Sequence, residues 1–130
     1  MRYIIALAGF LAGCGASPST APAAERDISV LDVVASPDGS KSAVAYSDMG
    51  GGAAGWCYVC VDVVAGHFNP RGAACGQKQQ WFRCSTEINL VWRSPTEVLA
   101  NYEGQPVTGP ELTQDAATLP DVSIRYEAAR

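Results

Sequence analysis

Val33-Val34-Ala35-Ser36-Pro37-Asp38-Gly39-Ser40-Lys41-Ser42-Ala43-Val44-Ala45-Tyr46 decides the fold class of this chain. Asp27 to Ala35 is rich in Val, Ile and Leu, and Ser36-Pro37-Asp38-Gly39 ends the run. Ser42 to Ser47 then resumes with Val44 and Tyr46 on one face of a two-residue period. The tetrapeptide has the chemistry of a tight turn. Proline presets φ, aspartate caps the turn, and glycine accepts a positive φ. The stretch predicts a β-hairpin.

Working outward, the period stays at two. Met49 to Gly55 reads as a Gly- and Ala-rich loop, and Trp56 to Val64 as the next strand. Cys57, Val59, Val61 and Val63 share one face of that strand, and Tyr58, Cys60, Asp62 and Val64 the other. Ala65 to Ser85 carries no clear period and reads as irregular. Glu87 to Arg93 alternates again, with Ile88, Leu90 and Trp92 directed inward. Ser94-Pro95-Thr96-Glu97 turns the chain and Val98 to Tyr102 returns it. Gly104 to Pro120 reads as a loop. Val122, Ile124 and Tyr126 alternate with Ser123, Arg125 and Glu127, the pattern of a half-buried strand. The fold class expected is all-β: a small antiparallel sheet or sandwich, with one domain over residues 26–130.

Two segments repeat faintly. Val33-Val34-Ala35-Ser36-Pro37 and Val91-Trp92-Arg93-Ser94-Pro95 each lead through a Ser-Pro turn into a strand ending in Tyr, at Tyr46 and Tyr102. This strand–turn–strand pattern resembles a blade of the TolB-type β-propellers, and small bacterial proteins built around one such unit. The resemblance covers Val33 to Tyr46 and, more weakly, Leu90 to Tyr102. A propeller needs about four to eight blades, and this chain has room for roughly two. It implies blade-like hairpins rather than a closed propeller.

Composition narrows the function classes. The 130 residues carry 9 basic and 13 acidic side chains, a formal charge of −4. That balance gives no basic face for nucleic acid. No apolar run reaches the roughly 18–20 residues that span a bilayer.

The N-terminus is more specific. Met1 and Arg2 precede an uncharged apolar run from Tyr3 to Ala12, the build of a secretory signal peptide. Leu11-Ala12-Gly13-Cys14 resembles the lipobox of bacterial lipoproteins. The resemblance implies cleavage before Cys14, with a lipid on its thiol and an acylated amino group. Residues 1–13 are then the signal peptide, and residues 14–25 a lipidated tether rich in Ala, Ser and Pro. Two or three acyl chains anchor a protein stably, where one does so marginally. Gly15 in place of an Asp leans the expected location towards the outer membrane, facing the periplasm. The mature chain has 8 basic and 13 acidic residues, net −5. Without a polybasic segment, the lipid must hold the membrane alone.

Four cysteines remain: Cys57, Cys60, Cys75 and Cys84. An even number in an oxidising compartment predicts two disulfides. Cys75 and Cys84 flank Gly76 to Arg83, which shows no strand signal, so they form the local pair expected. Closing about 10 residues would contribute on the order of 2–3 kcal/mol. One alternative stays open. If the strand through Cys57 and Cys60 is regular, they face opposite ways and each must reach a loop cysteine.

Two sharper readings concern the same residues. Trp56-Cys57-Tyr58-Val59-Cys60 has the spacing that resembles thioredoxin-like enzymes, where the first thiol sits at a helix N-terminus. The valines at 59, 61, 63 and 64 oppose a helix here. A Cys₄ zinc site needs a second close pair, and Cys75 and Cys84 are spaced too widely.

Other candidates read blandly. His67, the only histidine, lies in a loop. Asp38 and Asp48 are placed in turns, with Asp38 capping. The 49–55 loop lacks the Lys-Ser/Thr of a P-loop. Trp81, Phe82 and Arg83 are a loop cluster that could contact a partner or pack over the sheet. The expectation is a lipid-anchored cell-envelope protein with a non-catalytic binding or structural domain. It has no cofactor or metal, and an envelope protein is a candidate partner. The rival reading is a thiol–disulfide oxidoreductase using Cys57 and Cys60.

Overall fold

The computed structural model describes residues 26–52, 55–76, 79–107 and 119–130. The signal peptide and tether expected over residues 1–25 lie outside them, as does most of the Gly104–Pro120 loop. The described residues form eight strands and no α-helix: β1 (Arg26–Ala35), β2 (Lys41–Gly50), β3 (Trp56–Ala65), β4 (Trp81–Arg83), β5 (Glu87–Ser94), β6 (Glu97–Glu103), β7 (Pro106–Val107) and β8 (Ser123–Ala128). One sheet has the order β1-β2-β3-β4-β7 and the other β5-β6-β8. The fold is all-β, and of the two architectures left open the sandwich is the one formed.

The hairpin expected at Ser36 to Gly39 joins β1 to β2. Gly39 has φ of 74°, which a side chain would oppose. Its N–H donates to the Ser36 carbonyl at 2.9 Å. Asp38 accepts from the hydroxyls of Ser36 and Ser40, both at 2.7 Å, and from the Ser40 N–H at 3.0 Å. The Ser36 hydroxyl, then the two Ser40 donors, hold the Asp38 carboxyl far below the usual carboxylate range. The turn between β5 and β6 reuses the device, with Ser94 Oγ accepting from Thr96 N at 3.2 Å.

The strands extend further than their sequence pattern. β2 runs on through Asp48 to Gly50, paired residue for residue with β3 from Lys41↔Ala65 to Gly50↔Trp56. β4 lies inside the stretch read as irregular. The expectation of purely antiparallel pairing is corrected at one place: β8 pairs with β6 in parallel, Val98 opposite Ile124. A parallel neighbour requires a crossover, and the chain from β6 through β7 to β8 supplies it.

Alternation sorts the side chains into two apolar clusters. Between the sheets lie Ala43, Ala45, Val59, Val61, Val63 and Phe82 from one side, and Ile88, Leu90, Val98, Ala100 and Ile124 from the other. Phe82 is fully buried, and its ring sits 4.8 Å from Tyr102 and 5.6 Å from Tyr126. One aromatic from the first sheet thus bridges to two in the second. At the opposite margin β1 meets β5 through side chains. Leu90 N–H donates to Asp32 Oδ2 at 3.0 Å, and the Trp92 indole N–H to the Val34 carbonyl at 2.9 Å.

The core assignment of Phe82 sets a stability test. Phe82→Ala removes the ring that joins the sheets and should destabilise the domain by about 3–5 kcal/mol, read as a lower urea midpoint. Arg83→Ala, on the neighbouring exposed position, should change it little.

Candidate functional site

The polar centre of the molecule lies on the outer face of the five-stranded sheet. Alternation along β2 sends Val44, Tyr46 and Asp48 away from the second sheet. A strap of chain following β3, from Gly66 to Gly76, folds back over them. Val44, Tyr46 and Cys60 form a second apolar cluster there with Ile28, Phe68, Ala73, Cys75 and Trp81. The rings of Tyr46 and Phe68 stack at 5.1 Å. The Tyr46 hydroxyl donates to the Ala74 carbonyl at 2.9 Å. Burial pushes the Tyr46 phenol well above its ordinary 10.0, and the charges of Asp62 and Asp48 push the same way.

Asp48 is 3% exposed and accepts from three directions. Arg26 Nη1 donates to Oδ2 at 2.7 Å, and the Cys75 backbone N–H donates to the same oxygen at 3.0 Å. The Trp56 indole N–H donates to Oδ1 at 3.2 Å. Arg26 also stands 5.5 Å from the centre of the Trp56 ring, within cation–π range. Gly51 keeps the approach clear, since a Cβ there would lie 2.8 Å from the Trp56 ring. One carboxylate therefore ties the start of β1, the start of β3 and the strap to β2. The placement of Asp48 in a turn is corrected. It is a strand residue of β2. Its signal was an acidic side chain two residues beyond Tyr46, on the same apolar face.

The cysteines follow strand parity. β3 is regular, so Cys57 and Cys60 point to opposite faces. Cys57 bonds Cys84 (Cα–Cα 5.2 Å) and Cys60 bonds Cys75 (Cα–Cα 5.8 Å), both spans suited to a disulfide. The local Cys75–Cys84 pair is corrected, and the alternative of one bond from each β3 cysteine is the arrangement found. The four sulfurs do not converge on one point. Among the described residues no cluster of three or more His, Cys, Asp or Glu could hold a metal.

The Trp81–Phe82–Arg83 loop reading is also corrected. These residues are β4, paired to β3 through Val59↔Phe82. Phe82 faces the core and Arg83 the solvent. Trp81 packs on Tyr58 at 4.9 Å and donates its indole N–H to the Gly76 carbonyl at 2.8 Å. The trio therefore offers no common contact face. His67 lies exposed in the bend after β3.

Two open clefts flank Arg26. One, of about 530 Å³, runs between Arg26 to Ile28 and Pro70 to Ala74. The other, of about 910 Å³, is lined by Arg26, Trp56, Cys57 and glycines 50, 51, 52 and 55.

Two outcomes test this construction. Asp48→Ala should lower stability by about 1–3 kcal/mol. Arg26, whose side chain is 40% exposed, can return to water. The Cys75 N–H, within the strap, loses its acceptor, so its hydrogen exchange should accelerate. The second concerns pH. An unfolded tyrosine ionises near pH 10, whereas folded Tyr46 keeps its proton to higher pH. Its contribution is complete below pH 10 and is lost as pH rises above it. Tyr46→Phe should therefore cost about 1 kcal/mol at pH 7 through the bond to Ala74. The gap between the urea midpoints of the variant and the parent should narrow by pH 11.

No family model, no curated protein and no solved structure matches this chain.

Proposed function

We propose that this chain is a lipid-anchored protein of the bacterial cell envelope whose sandwich domain is a non-catalytic binding or structural module. The observation that carries the reading is Leu11-Ala12-Gly13-Cys14 directly after the apolar run from Tyr3. A tether of residues 14–25 would hold the domain within roughly 40 Å of the bilayer at full extension. Two disulfides suit the oxidising side of a membrane. The fate of Asp48, the one deeply buried carboxylate among the described residues, supports a module over an enzyme. Asp48 is committed to Arg26, Trp56 and Cys75, which leaves it to hold the fold rather than to move protons.

The oxidoreductase reading draws less support. A dithiol exchange pair alternates between two thiols and one shared bond. Cys57 and Cys60 instead each bond a different partner across opposite faces of β3.

Labelling with radioactive palmitate tests the anchor. The parent chain should incorporate label and sediment with membranes. Cys14→Ser should lose the label and accumulate unprocessed or soluble. Persistence of label in that variant would overturn the proposal.

A further inference from the structure

The two disulfides differ in what surrounds them. Cys60 is 0% exposed, in the outer-face cluster beneath the strap, and its partner Cys75 is half-buried. Cys84 is exposed, in the turn between β4 and β5. Cys57 is half-buried and opens onto the 910 Å³ cleft beside Trp56. Thiol–disulfide exchange requires a thiolate to reach one sulfur while the other departs, so access decides both which bond reacts and which sulfur is attacked.

We infer that Cys57–Cys84 is a thiol-exchange site for a small aliphatic thiol, with Cys84 as the sulfur attacked. The incoming thiolate forms a new S–S bond to Cys84 Sγ. The Cys57–Cys84 bond breaks, and its electron pair leaves on Cys57 Sγ as a thiolate facing the cleft. The products are a mixed disulfide on Cys84 and a free Cys57, with no net oxidation or reduction. Cys57 can then reattack Cys84 and expel the small thiol, which makes the modification reversible.

The domain keeps its other ties when this bond opens. β4 remains paired to β3 at Tyr58↔Arg83, Val59↔Phe82 and Cys60↔Trp81. Cys60–Cys75 and the Asp48 contacts still hold the strap. The exposed mixed disulfide would therefore sit on a folded protein. This inference does not depend on the lipid anchor.

The test uses the oxidised full chain and reduced glutathione as the probe, without denaturant. Samples are quenched with N-ethylmaleimide, digested without reductant and mapped by mass spectrometry. The Cys57–Cys84 linked peptide should disappear while Cys60–Cys75 persists. Glutathione should be found on Cys84 and maleimide on Cys57. Circular dichroism of the treated protein should remain that of the native fold. Glutathione on Cys57 instead of Cys84 would overturn the assignment of the attacked sulfur. Loss of Cys60–Cys75 at the same glutathione concentration, or no exchange until the protein unfolds, would overturn the site itself.

Discussion

Residues three apart on an extended strand face opposite ways, and β3 places cysteines at 57 and 60. Neither can bond the other without breaking the strand, so each must recruit a partner from the chain that follows. Cys57 draws in Cys84 just past β4, and Cys60 draws in Cys75 from the strap. The two closures lie on opposite faces of one sheet. The first fixes the exit of β4, whose next-to-last residue, Phe82, enters the core. The second pins cover over an outer face that would otherwise leave Val44 and Tyr46 in water. A three-residue β4 and an irregular strap have little ladder of their own, and these two bonds bind both to β3.

The outer cover needs a polar closure as well as an apolar one. Irregular chain laid over a sheet brings backbone N–H groups that must find acceptors. Asp48 meets this need for Cys75, and the Tyr46 hydroxyl meets the corresponding need of the Ala74 carbonyl. A buried carboxylate is costly unless compensated, and Arg26 and Trp56 compensate it. An isolated exposed ion pair of the Arg26 type would contribute up to about 1 kcal/mol. Here its geometry matters more, because it fixes the first residue of β1 against β2. The molecule thus has an apolar centre between its sheets and a smaller mixed one outside.

Much of this was legible in the chain. The hairpin at Ser36 to Gly39 and the alternation of Ile88, Leu90 and Trp92 required only local rules, and both formed as read. Three features depended on distant partners and were not. β4 is three residues long, too short to show a period, and it exists because β3 offers an edge beside it. Asp48 looked like part of a loop because Met49 to Gly55 is glycine-rich, yet β2 continues past it to keep pace with β3. The parallel placement of β8 depends on the crossover path and not on its clean alternation, which is the same for either direction. The disulfides divide along the same line: strand parity was readable, and the distance between Cys75 and Cys84 in space was not.

β1 closes one margin of the larger sheet and leaves Val30, Leu31 and Val33 about half exposed. A long edge strand bearing aliphatic side chains is a template on which a second chain can crystallise into an ordered aggregate. This edge is spoiled for that purpose in two ways. The register with β2 slips between Val30 and Asp32, so an incoming strand cannot stay in step along the full length. Beyond the slip, Asp32 and Val34 already engage β5, and a newcomer would have to displace a carboxylate and an indole to pair there. For a protein concentrated in two dimensions on a membrane, as proposed, encounters between copies are frequent. The bulge would then act as a guard of colloidal stability, keeping crowded neighbours from zipping into fibres.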